Sequence, residues 1–398
     1  MKSLSKILKN KQTHLKIVVP AITLLFFFLL SCNNPGGKDI KGVHHGIIYY
    51  KDGDFAAWPA NNGIWIWDNE ILVGFVQAKH KERRGHTYDS NTAGYKYARS
   101  KDGGLTWTIE DAYEKGITGY ICSNPKPKYK VEPTTTLRES IDFTHTDFAM
   151  TFLRASNDTG PSCFYYSNNR GNRWYGPYNF PDFETHGAAA RTDYIVEGKH
   201  ELTAFLTVAK SNKKEGRVLC ARTTDGGLTW KKVSWIGPEP EGFDIMPSSL
   251  RLSPAEILTV IRSKSADDHS SLTSYRSEDN GTSWTRLTDP VADTGGHNGN
   301  PPALLKLKDG RLALGYIYRD KYGSRVCLRF SLDNGKNWDD EILLRSGDGA
   351  NVDVGYPRMV QRPDGKLVLV YYWNNSLQEP AKPYRYIAFT TIDPEVWK

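Results

Sequence analysis

Cysteine, long apolar runs and excess charge of one sign are all scarce in this 398-residue chain. Beyond Cys32, the cysteines are Cys122, Cys163, Cys220 and Cys327, with no C-x-x-C pair and no histidine at metal-ligand spacing. That pattern excludes a zinc framework or a dithiol redox motif, and no metal or cofactor is expected. The last three lie in apolar, strand-like runs and read as buried small hydrophobes, although an export compartment would permit disulfides. The single long apolar run, Ile17 to Leu30, is shorter than the roughly 20 residues of a membrane-spanning helix. The net charge of +7 includes Lys2, Lys6, Lys9, Lys11 and Lys16 with no acid among them. Without those five, 47 of the 52 Lys and Arg remain against 45 Asp and Glu. So balanced a surface gives nucleic-acid binding no electrostatic support.

The same lysines, followed by the apolar run and Leu29-Leu30-Ser31-Cys32, form a signal peptide. The Leu-x-Ser-Cys ending resembles the bacterial lipobox, which implies that Cys32 is acylated and becomes the first residue of the mature protein. The expected organisation is a lipoprotein signal peptide over 1–31, a linker over 32–43 and one domain over 44–398. The expected location is the cell envelope, with the acyl chains holding the protein on a membrane surface.

What the chain has in abundance is a repeat. Ser100-Lys-Asp102-Gly-Gly104-Leu-Thr106-Trp107 recurs as Thr223-Thr-Asp225-Gly-Gly227-Leu-Thr229-Trp230, Ser277-Glu-Asp279-Asn-Gly281-Thr-Ser283-Trp284 and Ser331-Leu-Asp333-Asn-Gly335-Lys-Asn337-Trp338. A fifth copy ends in Trp174 and carries Asn169 for the aspartate; a degenerate sixth lies near Asp393 and Trp397. The five clear copies are spaced by 67, 56, 54 and 54 residues, so one supersecondary unit is repeated. Each copy reads as a turn: Asp bonds backbone N–H groups further on, Gly takes positive φ and Trp packs as the next strand begins. These aspartates are structural, not catalytic. Eleven Trp and 22 Tyr, with many glycine turns, suit an all-β chain, and about 355 residues can bury a large core.

Strands around the boxes follow from alternation and turn residues. Blade six is expected as Pro357 to Gln361, Lys366 to Trp373 and Tyr384 to Thr390; blade five as Pro302 to Leu307, Arg311 to Tyr318 and Val326 to Ser331. Blade four shows Ser248 to Leu252 and Ile257 to Ser263, blade three Arg191 to Val196 and Glu201 to Ala209, blade one Gly63 to Trp67 and Ile71 to Val76. The fold class is all-β: a six-bladed β-propeller of four-stranded antiparallel blades with Asp boxes.

Four well-formed boxes across the mature chain resemble the Asp-box propellers of the sialidase superfamily. That fold carries hydrolases, lyases and binding proteins alike. The resemblance implies an active site on the face formed by the loops joining strands two and three and those entering each new blade. His145 and His200 fall on the other face. Retained are His80, His86, Asp89, His186, Arg191, Asp244, His297, Asn298, Asn300, Asp353, Tyr356 and Arg358. Arg154, Arg262 and Arg319 end the second strands of blades two, four and five; either they converge as a carboxylate clamp, or they pair with rim neighbours such as Asp158, Asp267 and Asp320.

By the resemblance, Tyr356 stands where the family's tyrosine nucleophile enters the last blade and Asp89 in the loop of its acid/base aspartate. The Phe-Arg-Ile-Pro motif with the first clamp arginine is absent, replaced by Phe55-Ala-Ala-Trp-Pro-Ala-Asn-Asn-Gly-Ile-Trp-Ile-Trp67. The expected catalytic residues are Tyr356, His86, His297 and Asp89; the expected substrate-binding residues are Arg358, Arg319, Arg262, Arg191, His186 and Asn300. Trp58, Trp65, Trp67 and Trp373 are candidate sugar-stacking rings. The leading function is a glycosidase at the non-reducing end of a uronic- or sialic-acid-containing glycan. The alternatives are a lyase or dehydratase eliminating to a C4=C5 double bond in uronate oligosaccharides, with His or Tyr as acid and base, and a noncatalytic glycan-binding propeller. The leader itself is directly testable: Cys32→Ser is expected to move the protein from the membrane fraction to the soluble one, and equal partitioning of both forms would refute the anchor.

Overall fold

In the computed structural model, residues 40–118, 132–375 and 381–397 are described. Cys32 and Cys122 lie outside them. Strand dominates; among the described residues the helical pieces are one turn at Pro59–Asn62 and a 3-10 turn at Pro394–Trp397. Six antiparallel sheets make six blades. Blade three is built of Tyr194–Gly198, Glu201–Ala209, Glu215–Thr223 and Lys231–Trp235, running from the innermost strand outwards. Blades four and five follow the same plan from Phe243–Arg251 and Ala303–Lys306. The fold is a six-bladed β-propeller of four-stranded antiparallel sheets, with two departures from uniformity. Blade two has three strands among the described residues, Ala149–Arg154, Ser162–Ser167 and Tyr175–Asn179. In blade one, both Asp54–Ala57 and Ile64–Trp67 pair with the long strand Glu70–His80, so its inner edge is made in two pieces.

Blade six closes the ring. Its strands Gly355–Gln361, Leu367–Trp373 and Tyr386–Ile392 are completed by Val43–Tyr49, which pairs with Tyr386–Ile392. The first strand of the domain is thus the outermost strand of its last blade, a pairing that alternation alone does not reveal. Most strand boundaries agree with the sequence reading within a few residues, and Glu201–Ala209 agrees at both ends. Second strands read as unbroken apolar runs because neighbouring blades cover both of their faces: Leu367–Trp373 is buried throughout. Outer strands such as Lys231–Trp235 keep an exposed face and a mixed sequence.

The boxes are turns held by their own side chains. Asp225 Oδ1 accepts from the Thr229 N–H at 2.9 Å and Oδ2 from the Thr229 hydroxyl at 2.6 Å, while the Thr223 hydroxyl accepts from the Gly227 N–H at 2.9 Å. Asn169 keeps one of these bonds, accepting from the Arg173 N–H at 2.9 Å, which explains why Asn is tolerated there. Cys163, Cys220 and Cys327 are buried free thiols, and burial pushes Cys220 up to about 12.

The innermost strands break near the axis. Blade four shifts register between Ile245 and Ser248, with Met246 at φ 54°; blade six does so between Gly355 and Arg358, with Tyr356 at φ 55°. In blade one the break is the helical turn after Trp58, at φ 68°. Left-handed backbone in non-glycine residues costs of order 1–3 kcal/mol each and persists only where surroundings impose it. The breaks bring Ala60, Met246 and Tyr356 from three blades into one cluster.

For the boxes, Asp225→Ala is expected to cost about 1–3 kcal/mol of stability, with activity per folded molecule retained. The hydroxyl and N–H of Ser283 hold Asp279 down at about 2. A carboxyl depressed on folding stabilises the fold above its unfolded pKa and loses that contribution as pH falls through the folded one. Thermal melts between about pH 4 and pH 2 should therefore show a smaller acid-induced fall in Tm for Asp279→Asn than for the parent; parallel curves would contradict the assignment.

Candidate functional site

Tyr356 occupies its left-handed bulge because Asn300 holds the backbone there. Asn300 Oδ1 accepts from the Tyr356 N–H at 2.7 Å, and its Nδ2 donates to the Val354 carbonyl at 3.1 Å. Gly355 between them, at φ 116°, has no room for a Cβ, which would collide with the Asn300 amide. The Tyr356 hydroxyl accepts from Arg262 Nη1 at 3.1 Å. Burial alone would raise the phenol's pKa, but the Arg262, Arg319 and Arg191 charges together with the Arg262 hydrogen bond outweigh it, and the net shift is downwards.

Beside the tyrosine lies an imidazole with a fixed partner. His86 Nδ1 is 2.6 Å from Asp353 Oδ1. Asp353 also accepts from the Tyr372 hydroxyl at 2.8 Å and from Arg385 Nε at 3.0 Å. Burial opposes its charge, yet His86, Arg385 and Tyr372 hold the carboxyl well below the ordinary carboxylate range. Trp58 sets its ring edge-to-face on the imidazole at 4.9 Å.

A cavity of about 110 Å³ opens between these groups, lined among others by Tyr356, His86, Trp58, Arg154, Arg191 and Glu215. Asn61, Asn62, Tyr88 and Tyr95 complete its blade-one wall. Arg191 Nη2 lies 2.9 Å from Glu215 Oε2 without hydrogen-bond alignment, leaving Arg191 Nε and Glu215 Oε2 without a hydrogen-bond partner. Asn61 Oδ1 and Asn62 Nδ2 are likewise buried and unpartnered. Polar atoms buried so cost free energy until something bonds them, and this cavity wall holds four.

Tyr356, His86 and Arg191 thus come together, with Arg262 on the tyrosine hydroxyl. The others do not join them. Arg319 spends its donors on the Val354 and His297 carbonyls and the Tyr372 hydroxyl. Arg358 does not line the cavity and donates to the Ala60 and Thr192 carbonyls. Asn300 is fully buried and committed to backbone, so these three act as struts where substrate contact was expected. His186 is exposed, and His297 does not line the cavity although it feels the site's charges, its pKa lowered by burial, by Arg319 and by His86. Asp89 accepts from the Asn91 N–H at 3.0 Å and does not line the cavity. Of the tryptophans, Trp58 reaches the cavity, whereas Trp65 and Trp373 are core residues.

The rim pairs offered as the alternative for the arginines are not formed. Arg154 Nε donates to Asn157 at 2.9 Å, Asp158 pairs with Lys214 and Asp267 accepts from Ser265. Glu215 was missed by the sequence reading, although it is the one acid in the Lys213-Lys214-Glu215 turn between strands two and three of blade three. Asn61 and Asn62 sit in the segment already noted for its missing arginine.

The sequence of residues 167–369 matches the family model described as a BNR repeat-like domain. No curated protein is a significant match. Among solved structures, a protein of unknown function from Dyadobacter fermentans is similar over 89% of this chain and 100% of its own, at 20% identity and a TM-score of 0.64. The NanB sialidase from Streptococcus pneumoniae is similar over 88% and 70%, at 11% identity and 0.54. The Penicillium chrysogenum alpha-L-arabinanase is similar over 86% and 97%, at 13% identity and 0.52. Identities this low carry the fold alone.

Asn300→Ala would leave the Tyr356 N–H without its partner and the Val354 carbonyl with Arg319 alone, and is expected to lower stability by about 1–3 kcal/mol in chemical denaturation. An unchanged midpoint would mean that Asn300 does not hold the bulge.

Proposed function

The chain belongs to the BNR repeat-like domain family, and from that premise we propose that it is a sialidase-like glycosidase removing an acidic sugar from the non-reducing end of a glycan. The observation that carries this reading is one cavity holding two matched groups. A buried tyrosine hydroxyl bonded by Arg262 at 3.1 Å faces the same space as an imidazole held by a carboxylate at 2.6 Å. The sialidase and the arabinanase of the same fold are consistent with a glycan substrate.

In this mechanism the guanidiniums favour the Tyr356 phenolate, which forms a bond to the anomeric carbon as the glycosidic C–O bond breaks. His86, oriented by Asp353, gives a proton to the departing oxygen. It then takes one from the water that cleaves the tyrosyl link, restoring both groups. Arg154, Arg191 and Arg262 neutralise the substrate carboxylate; no fourth arginine comes from blade one, where Asn61 and Asn62 offer uncharged amides. The lipobox-like leader adds that the enzyme works outside the cytoplasm, anchored at the envelope.

Asp89 standing away from the cavity favours a second reading. With Tyr356 and His86 as titratable groups there, a phenolate could take the proton beside a uronate carboxylate while His86 protonates the leaving O4 oxygen, giving the C4=C5 alkene. Incubating the mature domain with sialosides and uronate oligosaccharides separates the two: hydrolysis adds the mass of water, elimination creates an absorbing double bond. In either case Tyr356→Phe should cut turnover at least ~100-fold with little change in Tm. Turnover at the parent rate in a folded Phe variant would sink the assignment, and binding without turnover by the parent would leave a glycan-binding propeller.

A further inference from the structure

The loop that delivers His86 to the cavity also carries a cluster of charge that the chemistry does not use. Between the strand ending at His80 and the one beginning at Tyr88, Lys81, Arg83 and Arg84 are exposed. None of them takes part in an ion pair among those between described residues, and the one acid of the loop, Glu82, is bonded to His80 at 2.8 Å. Lys79, just before, is already neutralised by Asp54 at 2.6 Å. The loop therefore holds three cations without an ion-pair partner among the described residues.

Their position is not arbitrary. The Arg83 guanidinium lies over the Tyr88 ring, 5.4 Å from its centroid. Tyr88 in turn packs on Phe55 at 5.1 Å and on Trp58 at 5.3 Å, and both Tyr88 and Trp58 line the cavity. Tyr88 thus links the cavity lining beside His86 to a guanidinium outside, and cation–π contact keeps that guanidinium over the Tyr88 ring rather than free in solvent. Exposed cations held beside a cavity-lining ring suit a chain of sugar units bearing anionic groups, and such contacts discriminate by charge more than by shape.

We propose that the loop 81–88 is a second binding subsite, outside the cavity, for the carboxylates or sulfates of further sugar units, so that the substrate is a polyanionic oligosaccharide rather than a neutral glycan capped by one acidic sugar. The proposal rests on the glycosidase reading of the cavity, and it extends that reading to the rest of the substrate. Exposed charges act at short range and weaken with salt, so the subsite contributes affinity and steering, while catalytic groups remain in the cavity.

The test uses Tyr356→Phe, which prevents turnover, with and without the added changes Lys81→Ala, Arg83→Ala and Arg84→Ala. Calorimetry would measure binding of a galacturonate tetrasaccharide, a chondroitin sulfate tetrasaccharide, uncharged maltotetraose and galacturonate monosaccharide. At least one anionic tetrasaccharide should bind, about tenfold more weakly to the triple-alanine form and more weakly again in about 0.5 M salt; which one binds tells carboxylate from sulfate. Maltotetraose should show no such dependence, and any affinity for the monosaccharide should be equal in both forms. Equal tetrasaccharide affinity in both forms, equal binding of maltotetraose, or no binding of either anionic tetrasaccharide overturns the subsite. The monosaccharide reports on the cavity separately, and its binding would leave the cavity reading standing when the subsite fails. Equal Tm values show that the exposed substitutions leave the fold intact.

Discussion

The hydrogen bonds from Asn300 to the two peptides flanking Gly355 are the constraint on which the cavity depends. An inner propeller strand that ran straight past the axis would present alternate side chains to its neighbouring blades and none at the angle Tyr356 takes. The left-handed residue interrupts the ladder, and its cost of about 1–3 kcal/mol has to be met by contacts specific to the bent form. Asn300 supplies two of them from the neighbouring blade, and Gly355 makes the close approach possible. Arg319 adds two more by donating to the same Val354 carbonyl at 3.0 and 2.8 Å. Blade five therefore determines where the blade-six tyrosine stands, and the blade interface is part of the site.

The buried arginines divide by what satisfies them. Arg319 is bonded to carbonyl oxygens, which disperse its charge over fixed dipoles, and Arg358 donates to two carbonyls, keeps an unbonded Nε and feels the charge of Asp193. Arg191 faces Glu215 in poor alignment and keeps an unbonded Nε; burial, followed by the nearby Arg154 charge, lowers its pKa. Like charges held close in a low-dielectric setting make a strong site for an anion, because each gains from an incoming carboxylate what it loses to its neighbour. The same field favours the Tyr356 phenolate. One group of cations thus bears on both the Tyr356 hydroxyl and the cavity, while the other braces backbone.

This division limits what can be read from sequence. The boxes were legible because a local turn writes its hydrogen bonds into eight consecutive residues, and six of them imply the ring. Tyr356 and His86 could be placed on one face by counting loops, and they line one cavity. The closing strand Val43–Tyr49 was not legible, since its partner Tyr386–Ile392 lies at the far end of the chain. Nor was the difference between Arg319 and Arg262, which end equivalent strands; it lies in which carbonyls the neighbouring loops turn towards them. Asn300 showed as a polar residue on the functional face, but its commitment to the bulge depends on a register shift in another blade.

His86 brings these points together. Its loop belongs to blade one and its partner Asp353 to the entry of blade six, so the pair spans the junction between the first and last blades. Asp353 is in turn bonded by Tyr372, which also receives a hydrogen bond from Arg319 at 3.2 Å. The chain of contacts therefore runs from Arg319 through Tyr372 and Asp353 to His86, while Arg319 also braces the Tyr356 bulge. Tyr356 and His86 share one buried guanidinium as support, although they come from different blades and neither is hydrogen-bonded to the other's partner. Such shared support fixes their relative position more tightly than two independent anchors would, as any chemistry that used both groups on one substrate would require.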